Sequence, residues 1–199
     1  MAKPTEGKLL KRPERRRALI AAAARAFAKG GYAATNLDDV AAEAGVSRVL
    51  IYRHFDSKTH LYEAVLEDIS DQLRHATGHP DHLTPTSLEA LVTVAQDNPD
   101  GFRLFFRQSG QEPEFRQHAD ALRAAMTATA EPYLREAIHD EAQLQWAAQL
   151  IPTVAVEAVI AWLDAGTPQP ETAAATITNI VGRIVSAIAD TASTTTARE

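Results

Sequence analysis

Residues 35–58 read TNLDDVAAEAGVSRVLIYRHFDSK, two short helical patterns joined by a tight turn at Gly45, with a third starting directly after. Asn36 is placed to cap the first pattern, and Asp39, three residues on, completes a capping-box-like pair. Val40, Ala41 and Ala44 form its apolar face, and the alanines allow two helices to cross closely. Gly45 ends it, because a left-handed backbone costs a residue without Cβ almost nothing. Val46 turns back toward the core and Ser47 is placed to cap the next helix, expected over 48–55. Ile51 and Phe55, spaced i, i+4, make its inward face; Arg48, Val49, Tyr52 and Arg53 point outward. This is the layout of a helix-turn-helix, a motif whose second helix enters the DNA major groove.

The flanks extend the pattern in order. Phe27 and Gly31-Tyr32 close a preceding helix; Thr35, Asp39-Val40-Ala41, Ala44-Gly45-Val46-Ser47, Ile51-Tyr52, His54-Phe55, Lys58 and Leu61 follow. On these residues, and most specifically on the tail IYRHFDSKTHLYEAVL, positions 13–66 resemble the DNA-binding domain of the TetR family of bacterial transcription regulators. The resemblance covers about a quarter of the chain. It implies that Tyr52 and Lys58 contact phosphate and that Arg48, Val49 and Leu50 face base edges. Asn36, Ser47, Arg53 and His54 complete the expected DNA-contacting set. The chain departs from the family at Leu50, commonly a small or hydroxyl residue, and at Val49, often Gly or Pro. Two aliphatic side chains there suggest contact with thymine methyl groups beside an Arg48–guanine contact.

Charge supports the same reading. The net charge of −6 hides an asymmetry: residues 1–60 hold 12 Lys/Arg against 6 Asp/Glu, and residues 61–199 hold 8 against 20. A basic head on an acidic body fits a DNA reader, and a solvated basic helix without a partner is the plainer alternative. The absence of cysteine excludes disulfides and Cys-based zinc sites. No signal peptide is recognisable, so a cytoplasmic location is expected.

The chain reads as all-α, an N-terminal three-helix helix-turn-helix domain plus a larger helical ligand-binding and dimerisation domain. The divisions expected are a flexible basic arm over 1–12, the DNA-binding domain over 13–60, the regulatory domain over 61–190 and a disordered tail over 191–199. The first helix spans about 13–29, with Leu19, Ala23 and Phe27 inward. A fourth starts at Ser57 as cap and runs to about 76; 77–86 is a loop, and helices follow at 87–96, 99–108, 113–138, 141–164 and 170–190. Residues 146–163 are apolar enough to raise a membrane question, but Gln149, Pro152, Glu157 and the lack of basic flanks argue for a buried helix, kinked or broken at Pro152. Its face of Leu144, Ile151, Ala155, Val159 and Trp162, with Ile177, Val181, Ile184 and Ile188 of the last helix, fits either a homodimeric four-helix bundle or burial inside one chain. The family resemblance implies the homodimer, and a homodimer requires a roughly palindromic double-stranded operator.

The body offers a ligand site only weakly. Phe102, Phe106, Arg107, Met126 and Trp146 (with Arg103) are candidates for an aromatic wall and counter-ion to an anionic small molecule, and ordinary core packing explains the same pattern. Glu157, if buried, needs a proton or a partner: Arg183, a ligand or water. His75, His79 and His82 read as surface histidines rather than metal ligands, and no cofactor is expected. No phosphate loop, nucleophile elbow or metal-ligand motif is present, so an enzyme is not expected. The reading is therefore a repressor released from its operator by a small-molecule effector, or else a constitutive DNA binder without one. Operator, effector and regulated genes are not encoded legibly.

Overall fold

The computed structural model describes residues 11–77 and 86–196. Every regular element among them is helical, and the chain divides into two compact units, Met1–Val65 and Leu66–Glu199.

The first unit holds α1 (Arg12–Ala34), α2 (Leu37–Ala44), α3 (Arg48–Tyr52) and the opening of α4 (Lys58–Thr77). Helix α1 continues past the expected Lys29, but Gly31 breaks its helical path at φ 73°. Leu19, Ala23 and Phe27 form its inner face, as the spacing predicts, and all three are buried. Phe27 meets Tyr62 edge-on with centroids 5.0 Å apart, and Tyr32 packs on the same ring at 4.9 Å. This aromatic cluster ties Tyr62 of α4 to α1 within the first unit. Arg25 and Lys29 of α1 both bond the Glu43 carboxylate of α2, at 2.7 and 2.8 Å. Those two hydrogen bonds, Lys29's first, hold the Glu43 carboxyl below its ordinary pKa. The expected arm lies, apart from its last two positions, outside the described residues, and Arg12 already belongs to α1.

The second unit holds the rest of α4, then α5 (Ser87–Asp97), α6 (Pro99–Arg103), α7 (Arg116–Leu134), α8 (Glu141–Asp164) and α9 (Pro170–Thr196). Asn98 opens α6 by accepting the Gly101 N–H at 3.1 Å, and Asp140 opens α8 by accepting that of Gln143 at 2.8 Å. The expected single helix over 99–108 is instead α6 followed by a π-helical turn over Leu104–Gln108. Helix α8 packs against α5, α7 and α9. It runs through Pro152 without a break. Helix α9 continues to Thr196, into the stretch expected to be a disordered tail.

The side chains assigned to a dimer face need a correction. Leu144, Ile151, Ala155, Val159 and Trp162 of α8 and Ile177, Val181 and Ile188 of α9 are buried within the single chain, and Ile184 is half-buried. An apolar stripe states that a face is covered, not by what; here the neighbouring helices of the same chain cover it. Trp162 has a further task, donating its indole N–H to the Pro168 carbonyl at 2.9 Å across the α8–α9 turn. Trp146 and Ile180 are the large apolar side chains these two helices leave exposed.

Candidate nucleic-acid interface

The turn between α2 and α3 is built by local chemistry. The Asn36 side chain accepts the Asp38 and Asp39 N–H groups at 2.8 and 3.0 Å, and the Asp39 carboxylate accepts the Asn36 N–H at 2.8 Å. Gly45 closes α2 in the left-handed region at φ 65°, and the Val46 N–H donates to the Ala41 carbonyl at 3.0 Å. Ser47 occupies the cap position of α3 without a side-chain cap bond, so its hydroxyl is exposed and uncommitted to the helix, contrary to expectation. Helix α3 ends at Tyr52, earlier than the expected Phe55. Ile51 and Phe55 are both fully buried and fix the face on which the helix lies.

The opposite face is open. Val49 is 63% exposed and Tyr52 45% exposed, with Arg48 and Arg53 beside them. Leu50 is half-buried, so it contributes less outward surface than its position predicts. The Arg48 guanidinium donates to Asp38 at 2.9 Å and to the Tyr52 hydroxyl at 3.1 Å, and its carbon lies 5.5 Å from the Tyr52 ring centroid. The Tyr52 bond and then the Asp38 charge raise its pKa further above the ordinary arginine value. Asp38 thus holds the Arg48 guanidinium in place beside Tyr52 on this exposed face. Replacing Arg48 by alanine is expected to weaken binding to a preferred duplex by about 1–3 kcal/mol and to relax preference at one base pair. Competition binding against single-base variants checks this; equal weakening on every sequence would show a phosphate contact only.

Lys58 also bonds within the head. Its ammonium donates to the Tyr32 carbonyl at 2.8 Å and the Thr35 carbonyl at 3.1 Å, and lies 4.3 Å from the Tyr32 ring centroid. It closes the end of α1, where carbonyls without helical partners favour a cation. Asn36 likewise serves as a cap. His54 is half-buried, and burial first, then the charges of Arg12, Arg16 and Arg15, holds its pKa below the ordinary histidine value. The reading of the sequence missed these arginines. The run RPERRR at 12–17 was visible, but its approach to His54 is a tertiary contact that no spacing announces.

In the second unit, a cleft of about 100 Å³ is lined by Phe105, Phe106, Met126, Val156 and Glu157, among others. Of the ligand candidates, Phe106 and Met126 reach it. Phe102 is fully buried instead, and Trp146 is exposed. Arg107 donates to Asp164 at 2.7 Å, as does Arg103 at 2.9 Å, so Asp164 already compensates both proposed counter-ions. Glu157 is exposed rather than buried, 3.8 Å from Arg107. His75 bonds the Asp71 carbonyl, while His79 and His82 lie outside the described residues.

Residues 19–65 match the family described as bacterial regulatory proteins, tetR family. The N-terminal unit belongs to the tetR family. The chain is 36% identical over 108 residues to the HTH-type transcriptional activator FasR of Mycolicibacterium smegmatis, covering 50% of this chain and 49% of FasR. The chain spans about half the length, or less, of the curated relatives it matches. Its fold matches that of a TetR-like transcriptional regulator from Rhodococcus sp. RHA1, with a TM-score of 0.72 at 20% identity over 87% of this chain and 97% of that one. It also matches FadR from Bacillus subtilis in complex with stearoyl-CoA, with a TM-score of 0.61 at 18% identity over 85% and 96%.

Proposed function

We propose that this chain is a transcriptional repressor that binds a palindromic operator as a homodimer and leaves it when a small molecule binds the second unit. The observation that carries the DNA reading is the outward face of α3: a short helix, pinned by buried Ile51 and Phe55, that leaves Arg48, Val49, Tyr52 and Arg53 free of the core. A side chain as apolar as Val49 at 63% exposure, flanked by two arginines, matches a groove lined by methyl groups and acceptors. Dimerisation would draw on the sides of α8 and α9 that carry Trp146 and Ile180, since the stripes first considered are already covered.

Support for an effector comes from the cleft at Phe106, Met126 and Glu157 and from the stearoyl-CoA held by the fold neighbour FadR. At about 100 Å³ the cleft is smaller than the ~300–1,000 Å³ of ordinary ligand pockets. It must widen to take a drug-sized molecule, and that differential fit is what allows a ligand to shift a conformational equilibrium. FasR is named an activator, which makes activation the second reading of the same DNA contact.

The test is selection of duplexes from a random-sequence library by the full-length protein, followed by affinity measurements over a range of salt. The expected results are enrichment of an inverted repeat, a two-protomer complex by sedimentation, and a log–log salt slope of about −0.9 per phosphate contact. Long-chain acyl-CoA added to the complex is expected to release the duplex. Retention of the duplex at saturating acyl-CoA would count against that effector class, and transcription in vitro from a promoter carrying the repeat separates repressor from activator.

A further inference from the structure

Asp38 and Asp39 stand side by side in the first turn of α2 and do different work. Asp39 closes the capping box by accepting the Asn36 N–H. The Asp38 N–H donates to the Asn36 side chain, which fixes the stem of Asp38 at the helix start. Its carboxylate reaches outside α2 and accepts from Arg48 Nη1 at 2.9 Å. Arg48 Nη2 donates to the Tyr52 hydroxyl at 3.1 Å, one turn along α3. Two helices therefore hold the guanidinium at two of its corners. A guanidinium carries five N–H groups, so three remain, that of Nε among them, and these still offer a donor pair.

The ion pair is a poor stabiliser of the fold. Asp38 is 62% exposed and Arg48 50% exposed, and pairs so open to water contribute little. On a face that meets DNA, a carboxylate also repels phosphate and offsets the charge of the arginine beside it. Asp38 therefore lowers affinity on every sequence. What it supplies in return is restraint. A free arginine on its long stem can reach any nearby phosphate, and such a contact carries no sequence information. Clamped between Asp38 and Tyr52, the guanidinium keeps a fixed fork for the O6 and N7 acceptors of guanine.

We propose that Asp38 is a positioning residue that sets sequence specificity: it keeps Arg48 aimed at a guanine and away from the backbone, giving up affinity for discrimination. The role rests on the DNA-binding reading of α3. It falls to a residue of α2, outside the DNA-contacting set expected from the sequence.

The experiment uses the full-length protein, the duplex that the wild type selects from a random library, its single-base variants and an unrelated duplex of equal length. The proteins are the wild type, Asp38→Ala, Arg48→Ala and the double variant, which together form a double-mutant cycle. Alanine is a good helix former at this exposed position, so the melting temperature is expected to change little. A bidentate arginine–guanine pair discriminates by about 5- to 150-fold. Asp38→Ala is expected to cut that discrimination by about threefold or more. Its affinity for the unrelated duplex is expected to rise, with a log–log salt slope steeper by about 0.9 per head as Arg48 turns to phosphate. In the Arg48→Ala background the same substitution is expected to leave base preference unchanged. Unchanged discrimination in Asp38→Ala would overturn the role, as would equal weakening on every duplex, the mark of a merely structural residue. A base preference that survives in Arg48→Ala and disappears in the double variant would assign the reading to Asp38 itself and overturn the role as well. Failure of the wild type to select any duplex would instead overturn the reading of α3 beneath it.

Discussion

Replacing Phe27 by alanine is expected to destabilise the N-terminal unit by about 3–5 kcal/mol, the range for removing a fully buried Phe. Phe27 has no exposed surface, and it joins the Tyr32 and Tyr62 rings into one cluster. The lost ring would leave a cavity between helices that cannot easily close, because Ala22, Ala23, Ala24 and Ala26 around it on α1 are already small and buried. A small unit holds only a few kcal/mol in reserve, so a large share of its stability would go. Urea unfolding followed by circular dichroism checks this. The midpoint should fall, and duplex affinity should fall with it although Phe27 is buried in the core. A loss under about 1 kcal/mol would show that the cluster does not hold the head together.

Replacing Val49 by aspartate is expected to do the reverse, sparing stability and abolishing recognition. Val49 is exposed, and Val and Asp have similar helix propensities. A carboxylate in the first turn of α3 interacts favourably with the helix N-terminus, so the melting temperature should stay within the narrow range of ordinary surface substitutions. Against DNA the same carboxylate meets acceptor-rich base edges and flanking phosphates. Such like-charge juxtaposition costs on the order of several kcal/mol, a hundredfold or more in affinity. It would also compete with any guanine for Arg48, which already bonds Asp38. Anisotropy titration of the selected duplex gives the answer directly, and an affinity within about threefold of wild type would remove Val49 from the interface.

The parts of the molecule legible in the sequence are those whose structure is decided locally. Asn36, Asp39 and Gly45 each act within three or four residues, so the start and stop of α2 could be read from spacing alone. The inward pair Ile51 and Phe55 was equally plain. Where partners are distant, spacing is silent. The carbonyls that Lys58 caps belong to residues 32–35, brought close only by folding. The alternation of α8 and α9 identified their buried faces and left the covering surface open. The π-helical turn over Leu104–Gln108 inserts extra backbone into one turn, which shifts phase along FRLFFR. Phe102 then lies in the core while Phe105 and Phe106 line the cleft, a distinction that helical spacing could not draw.

The central claim is that α3 is presented to the major groove. Dimethyl sulfate footprinting of the full-length protein on its selected duplex tests it most directly, because the reagent methylates guanine N7 in the major groove and adenine N3 in the minor groove. The account predicts protection of guanine N7 in two patches about 10 base pairs apart, with one guanine in each patch regaining reactivity in Arg48→Ala. A fully bound duplex whose guanine N7 atoms all remain reactive, or whose protection is confined to adenine N3, would contradict it.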